Sequence, residues 1–396
     1  MSSSTEVTGT RPKRRLVTVR RVDKITPIKG SNHNVVTVGG WNVVTKRSQS
    51  FNENEPVVFF EIDSFLPDTT AFWEYVISRP TSLPGGPRGF LVKTTIIERH
   101  LSQGLVFPIG SFQQIVAARN RLEAKYGGNM DSAVEELMTM SFEDVLGVRK
   151  WEFPEITDDS LITGQGPLPK PVFVPRPGSE RAQNIPGLFR DYGAHRFQIT
   201  EKLDGFSMSV YLVQESSQWY SGISHFPAGH TRPVGSAHIG ICSLSKSASA
   251  TESSTSRFWV TAERQGILQK IHQVGTNIAV QGELCGSSIL GNTMGFHEGE
   301  HRFYVFDIFD IDKQKYLPCS ETRRICRNLG WDHAPVLAED VRLSVVAKNL
   351  ADLINKTNGV GMFGRKREGV VFKGLDHQHF SFKVISNEWL IATGRN

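Results

Sequence analysis

Two runs of alternating apolar and polar residues, 196–200 and 206–212, flank the pentapeptide Glu201-Lys202-Leu203-Asp204-Gly205. Alternation with a period of two belongs to strands, and a break containing Asp and Gly between two such runs belongs to a turn. The pattern predicts that Lys202 and Asp204 sit where two neighbouring strands meet, so this half of the chain must build around a sheet. A lysine amine is ordinarily protonated; it becomes a nucleophile only when desolvation or nearby cations depress its pKa. Alone, a Lys and an Asp around a turn are most simply a solvated pair. The downstream sequence changes that reading.

Four further segments each begin or end a predicted strand. Residues 279–286 carry Glu283 at a strand end, and 303–308 form an aromatic strand containing Phe306. Residues 367–373 place Glu368 at a strand start, and 380–385 set Lys383 in an apolar strand. Around them, strands alternate with a few helices from about 159 to 396. Residues 340–357 are the clearest amphipathic helix, with Val341, Val345, Val346, Leu350, Leu353 and Ile354 on one face. The Ser/Thr/Ala-rich stretch 243–256 predicts a mobile insertion.

The front of the chain reads differently. Residues 1–12 predict a disordered tail, and 13–110 hold short strands separated by Gly39-Gly40 and Asn52-Glu53-Asn54, as in a small barrel or sandwich. Residues 65–88 predict a long Pro/Gly-rich loop. Residues 112–123 and 130–140 have helical spacing, within a helical linker spanning 111–158. Seven prolines between 154 and 186 predict an extended connection.

Apolar content of 39% and charged content of 21% describe an ordinary globular protein. The net charge of +5 and pI near 9.0 fit an anionic partner. No apolar run approaches the ~20 residues that span a bilayer, and the start of the chain lacks a signal core. Cys242, Cys285, Cys319 and Cys326 show no paired spacing, which predicts reduced thiols and a cytoplasmic or nuclear protein.

The ordered series Lys-x-Asp-Gly, Gly-Glu, aromatic-Phe-Asp, Glu-Gly-Val-Val, Phe-Lys resembles that of the covalent nucleotidyltransferases, the polynucleotide ligases and mRNA capping enzymes. Capping enzymes and most DNA ligases need a barrel after the last motif, and only thirteen residues follow Lys383. The segments 57–67, 102–108, 143–152 and 180–184 instead resemble ATP-dependent RNA ligases with an amino-terminal OB domain. The resemblance implies an α+β fold: an OB-type β-barrel, a helical linker, and a nucleotidyltransferase (ATP-grasp-like ligase) domain on antiparallel sheets. It also implies ATP as cosubstrate, Mg²⁺ or Mn²⁺ as metal, and RNA with 3′-hydroxyl and 5′-phosphate ends as partner, with no membrane and a monomeric enzyme.

Charge neutralisation and a good nucleophile are what phosphoryl transfer needs. In that reading Lys202 attacks the nucleotide α-phosphate and Lys383 stabilises its charge. Asp204, Glu283 and Glu368 supply oxygens to a hydrated Mg²⁺ or Mn²⁺. Phe306 offers a stacking face for the purine, or is a plain core aromatic, and Glu201 reads the adenine amine. By the same resemblance Arg181 contacts nucleotide phosphate or RNA, supported by Asn184. Two departures stand out. The family's arginine after the lysine is missing from 241–246, where Lys246 or Arg264 are the candidate substitutes, and Ser381 replaces a second lysine of the last motif. The missing arginine and the Ser-rich insertion keep open a catalytically impaired RNA-end or nucleotide binder; a DNA/RNA nick ligase stays open because discrimination by the 2′-hydroxyl depends on surface geometry.

Several patterns read as decoys. Gly359–Gly364 matches a dinucleotide fingerprint in the wrong context and predicts a flexible loop before Glu368. His225, His230 and His238 lack the cysteines of a zinc site, and Asp307, Asp310 and Asp312 lack the Gly and Glu of a calcium loop. Lys13, Arg14, Arg15, Arg20 and Arg21 read equally as RNA contacts or a solvated strand edge.

Overall fold

The period-two patterning folds as antiparallel sheet in both halves of the chain. The computed structural model describes residues 14–68, 81–82, 88–151, 168–251, 256–376 and 380–395. The expected tail, much of the 65–88 loop and part of the proline-rich connection lie outside these. The chain divides into two compact units, Met1–Pro154 with Gln183–Pro186 and Leu390–Asn396, and Glu155–Ala182 with Gly187–Trp389.

The first unit holds β1 (Val17–Arg21), β2 (Lys24–Pro27), β3 (His33–Val38), β4 (Trp41–Lys46), β5 (Pro56–Phe60) and β6 (Ser64–Pro67). After them come β7 (Thr81–Ser82), β8 (Arg88–Leu91), β9 (Thr94–Ile97), β10 (His100–Gln103), β11 (Leu105–Pro108) and β12 (Arg149–Lys150). β5 lies between β1 and β11 and is buried on both faces. One face, with Val58 and Phe60, packs on Phe112, Ile115 and Leu122 of the helical segment. The other, with Val57 and Phe59, meets Val36, Trp41 and Val43 of β3 and β4. The helices Gln113–Lys125 and Met130–Leu137 of the expected helical linker cover one face of the first unit's sheet. Arg14 and Arg20 of the basic cluster turn onto the carboxylate of Glu61, at 2.7 and 2.8 Å, and Glu61 is 1% exposed. Burial commits those two cations to the fold.

The second unit is built on two sheets. One orders β13 (Glu180–Arg181), β23 (Ser381–Ile385), β22 (Gly369–Gly374), β14 (Arg196–Lys202) and β21 (Val336–Arg342). The other orders β16 (Thr231–Val234), β17 (Ala237–Cys242), β15 (Phe206–Gln214), β18 (Ile278–Gly286), β19 (His301–Asp310) and β20 (Lys315–Tyr316). Every pairing in them is antiparallel except that of β13 with β23. Alternation sorts the faces of the second sheet. Met208, Val210, Val280, Leu284, Phe303 and Val305 share a core with the helices Ser256–Arg264 and Cys319–Leu329. Residues of opposite parity, Cys285, Tyr304 and Phe306, join Leu203 and Phe296 on the other face.

Two sequence expectations need correction. Residues 340–357 are not one helix: β21 runs to Arg342, and the helices Leu343–Val346 and Leu350–Thr357 follow. Ala347 is extended between them, and Asn349 starts the second helix by accepting a hydrogen bond from the Asp352 amide. Val345, placed on the buried face, is 72% exposed. Within the stretch expected to be mobile, Ser247, Ala248 and Ser249 are buried, and Ala248 accepts a 2.9 Å hydrogen bond from the Trp259 indole.

Candidate active site

Strand register assembles the site. β14 ends at Lys202, paired with Gly369 of β22, so Glu368 arrives beside the lysine as β22 begins. The Lys202 Nζ lies 2.8 Å from Glu368 Oε1 and 2.9 Å from Oε2. The two side chains keep 22% and 12% of their surface, so the ion pair is largely desolvated. The turn after Lys202 needs its glycine: a Cβ on Gly205 would stand 2.4 Å from the Leu284 carbonyl oxygen and 2.9 Å from Glu283 Cγ. Ser207 then pairs with Glu283, bringing that carboxylate under the lysine from β18. Asp204 in the turn accepts a hydrogen bond from the Thr293 hydroxyl.

The electrostatics follow from burial against charge. Burial alone depresses the Lys202 pKa, but Glu368 and then Glu283 outweigh it and the net shift is upward. Burial pushes Glu283 up to about 7, against the pull of Lys202 and with the repulsion of Glu368 and Asp204. Glu368 is raised as well, by burial first. Lys383 on β23 is pushed down to about 8, by burial and then by Lys202 and Arg181. Arg181 is its parallel neighbour on β13. With three acidic groups around it, Lys202 is an ammonium ion unless a further cation offsets them.

A cavity opens to solvent at Lys202, lined also by Glu201, Asp204, Glu368, Met362 and Arg365. Neither Lys246 nor Arg264 is among its lining residues. Glu201 is 6% exposed, and its two carboxylate oxygens accept the Met362 amide at 3.2 and 3.1 Å. Met362 lies on a segment that the sequence reading set aside as a flexible loop. The structure makes it a small hairpin: Val360 bridges Lys366, the Gly361 amide donates to Arg365 at 2.7 Å, and Arg367 donates to Gly359 at 3.0 Å. A Cβ on Gly361 would meet Glu201 Oε1 at 2.2 Å. Glycines at 361 and 364 were the signal; their contact with a residue 160 positions upstream was invisible in one dimension.

Phe306 joins the apolar cluster on this face, beside Leu203, Tyr304 and Phe296. Asn184 lies in 183–186, a segment of the first unit. Among the described residues no three His, Cys, Asp or Glu side chains converge to hold a metal ion directly. The three histidines read as a decoy have other partners: His225 lies edge-on to Phe226, His230 meets the Ser247 hydroxyl, and His238 meets Glu215. The four cysteines are free.

Comparison with known proteins matches the same regions. A family model for RNA ligase covers residues 195–385, and an OB-fold domain model covers 16–109. The structure of Naegleria gruberi RNA ligase with PPi is 30% identical, with a TM-score of 0.66, over 95% of this chain and 98% of that one. The chain belongs to the RNA ligase family. Two further structures of the N. gruberi ligase, a lysine-to-methionine mutant with AMP and Mn and a lysine-to-alanine mutant with ATP and Mn, are 29% and 28% identical. Both have a TM-score of 0.68 and cover 95% of this chain and 98% of theirs. A comparison with curated proteins found no match. The fold of this RNA ligase is accordingly an N-terminal OB-fold domain and a ligase domain of antiparallel sheets. No helix among its described residues is long and apolar enough to cross a membrane.

Proposed function

We propose that this RNA ligase uses ATP to join 3′-hydroxyl and 5′-phosphate RNA ends through a lysyl-AMP and an RNA-adenylate. The observation that carries the reading is the Lys202 amine, held 2.8 Å from Glu368 at the wall of a cavity that Asp204 also lines. In the first step the neutral amine attacks the α-phosphorus; a P–N bond forms, and the bond to the pyrophosphate oxygen breaks. In the second, an oxygen of the RNA 5′-phosphate takes the adenylyl group and restores the lysine. In the third, the 3′-hydroxyl oxygen attacks the activated phosphate and AMP leaves.

The remaining residues take roles that their places support. Lys383 and Arg181 present positive charge to the α-phosphate or the RNA end. Phe306 stacks on the adenine. Glu201, oriented by the Met362 amide, reads the base at the cavity wall. Asp204, Glu283 and Glu368 are hard oxygen donors of the kind Mg²⁺ and Mn²⁺ take, and those ions keep several of their own waters. Such an ion supplies the positive charge that favours a neutral Lys202 and offsets the charge of the phosphates. The N. gruberi structures with ATP and Mn, and with PPi, support the same assignment of substrates. The enzyme acts as a monomer in the cytoplasm or nucleus.

The test is covalent labelling. The protein should gain the mass of one AMP with ATP and Mn²⁺, and lose it on adding 5′-phosphorylated RNA; Lys202→Ala should gain nothing. Labelling that persists in Lys202→Ala removes the assignment. Failure of the wild type to seal a nicked RNA duplex leaves the impaired binder. Sealing that is indifferent to a deoxyribose 3′ strand points to a general nick ligase.

A further inference from the structure

Lys373 ends up in an unusual place for a strand lysine. It lies on β22 opposite Ser381, is 8% exposed, and sends its ammonium out of its own sheet to the other one. There Nζ pairs with Asp307 at 2.7 Å and donates to the Phe306 carbonyl at 2.5 Å, 5.2 Å from the centroid of the Phe306 ring. All three contacts fall on one irregularity. Gln281 pairs with Asp307, but Gly282 pairs with Val305, so Phe306 is the extra residue of a bulge in β19. Gly282 opposite has no room for a side chain, a Cβ meeting the Tyr304 oxygen at 2.3 Å. A bulge bends its strand and re-aims a side chain, and it leaves the extra residue's backbone without a ladder partner. The buried ammonium satisfies that carbonyl while Asp307 neutralises its charge.

We propose that Lys373 is a positioning residue that holds the β19 bulge and so sets the Phe306 ring for the nucleobase. The inference rests on the reading of Phe306 as the base-stacking residue, and it names what fixes that ring. A lysine that only tied two sheets together would change stability and treat every ligand alike. A lysine that aims the ring affects ligands carrying a base.

The experiment measures binding by calorimetry in a Lys202→Ala background, where no covalent step intervenes. ATP and pyrophosphate are compared for that protein, for K373M, K373R and D307N added to it, and for F306A alone and with K373M, with folding checked by circular dichroism. The expected result is that K373M weakens ATP about five- to tenfold, the scale of one aromatic contact. Pyrophosphate binding stays unchanged, K373R recovers part of the loss, and K373M adds nothing on top of F306A. ATP affinity unchanged in folded K373M, equal losses for ATP and pyrophosphate, or additive losses with F306A each overturn the proposal. Loss of covalent labelling in the wild type would strike the ligase reading instead, and the binding comparison stands apart from it.

Discussion

Lys202 and Glu368 form an ion pair, at 2.8 Å, between the last residue of one strand and the residue just before its neighbour. The register of β14 against β22 places the nucleophile candidate and its acidic partner together, with no loop to adjust. A cation that engages Glu368 therefore also acts on the amine beside it.

Glu368→Gln keeps the shape of that pair and removes its charge. Lysyl-AMP formation should fall roughly 10²–10³-fold, the scale of one well-placed charged group in a dry site. The fold should be retained. Single-turnover label transfer from ATP checks this; a loss under tenfold would remove Glu368 from the catalytic set.

The first step should have a narrow pH optimum. Without a metal Glu283 sits at about 7, and it must lose that proton before it can hold a cation, so metal binding and with it the rate rise as pH passes upward through that value. Lys383, at about 8, must keep its proton to face the phosphate, so the rate falls above it. Lys383→Arg should abolish the alkaline fall, because a guanidinium stays charged there. Initial rates of adenylylation across pH 6 to 9.5 (roughly the window of these two groups) would show it.

Gly361→Ala should disturb recognition of the base more than stability. Its Cβ would stand 2.2 Å from Glu201 Oε1, forcing either the hairpin or the carboxylate aside. ATP binding should weaken about tenfold or more, while thermal stability changes by about 1 kcal/mol or less, as for most exposed loop substitutions. Calorimetry beside a melting curve separates the two.

His333 should make the ligase domain sensitive to acid. Its Nδ1 donates to the Ala334 carbonyl at 2.6 Å, its Nε2 has no hydrogen-bond partner among the described residues, and burial lowers its pKa to about 4. The folded value lies below the unfolded one near 6.5, so the unfolded chain binds more protons between them, and stability falls as pH drops from about 6.5 to 4. His333→Gln should flatten that part of a plot of Tm against pH.

In the first unit, Arg20→Met should destabilise by about 3 kcal/mol, because it strips one of two cations from a carboxylate that is 1% exposed. Pairing it with Glu61→Leu should recover much of the loss. Urea unfolding of the two variants decides it.

Much of this was legible in one dimension. Period-two runs located β14, β15, β18, β19, β22 and β23, with Lys202 closing β14 and Glu368 just ahead of β22 as expected, whereas Glu283, also expected at a strand end, lies inside β18, which continues to Gly286. The helix expected over 340–357 misled because β21 also presents apolar residues at compatible spacing, and Asn349 capping outweighed the continuous pattern. The hairpin at 359–367 escaped because its shape comes from a contact with Glu201, far away in sequence. Arg14 and Arg20 read as surface charge for the same reason: their partner Glu61 sits some 40 positions on.

The parallel pairing of Arg181 with Lys383 has a consequence for synthesis and refolding. The hydroxyls of Ser179 and Ser381 that flank this pair meet across a separation of 202 residues. Contacts that close so long a loop form late. A nascent chain can lay down β14, β15 and β18 well before β23 leaves the ribosome, yet the two cations come together only then. Their joint charge waits on a single distant strand.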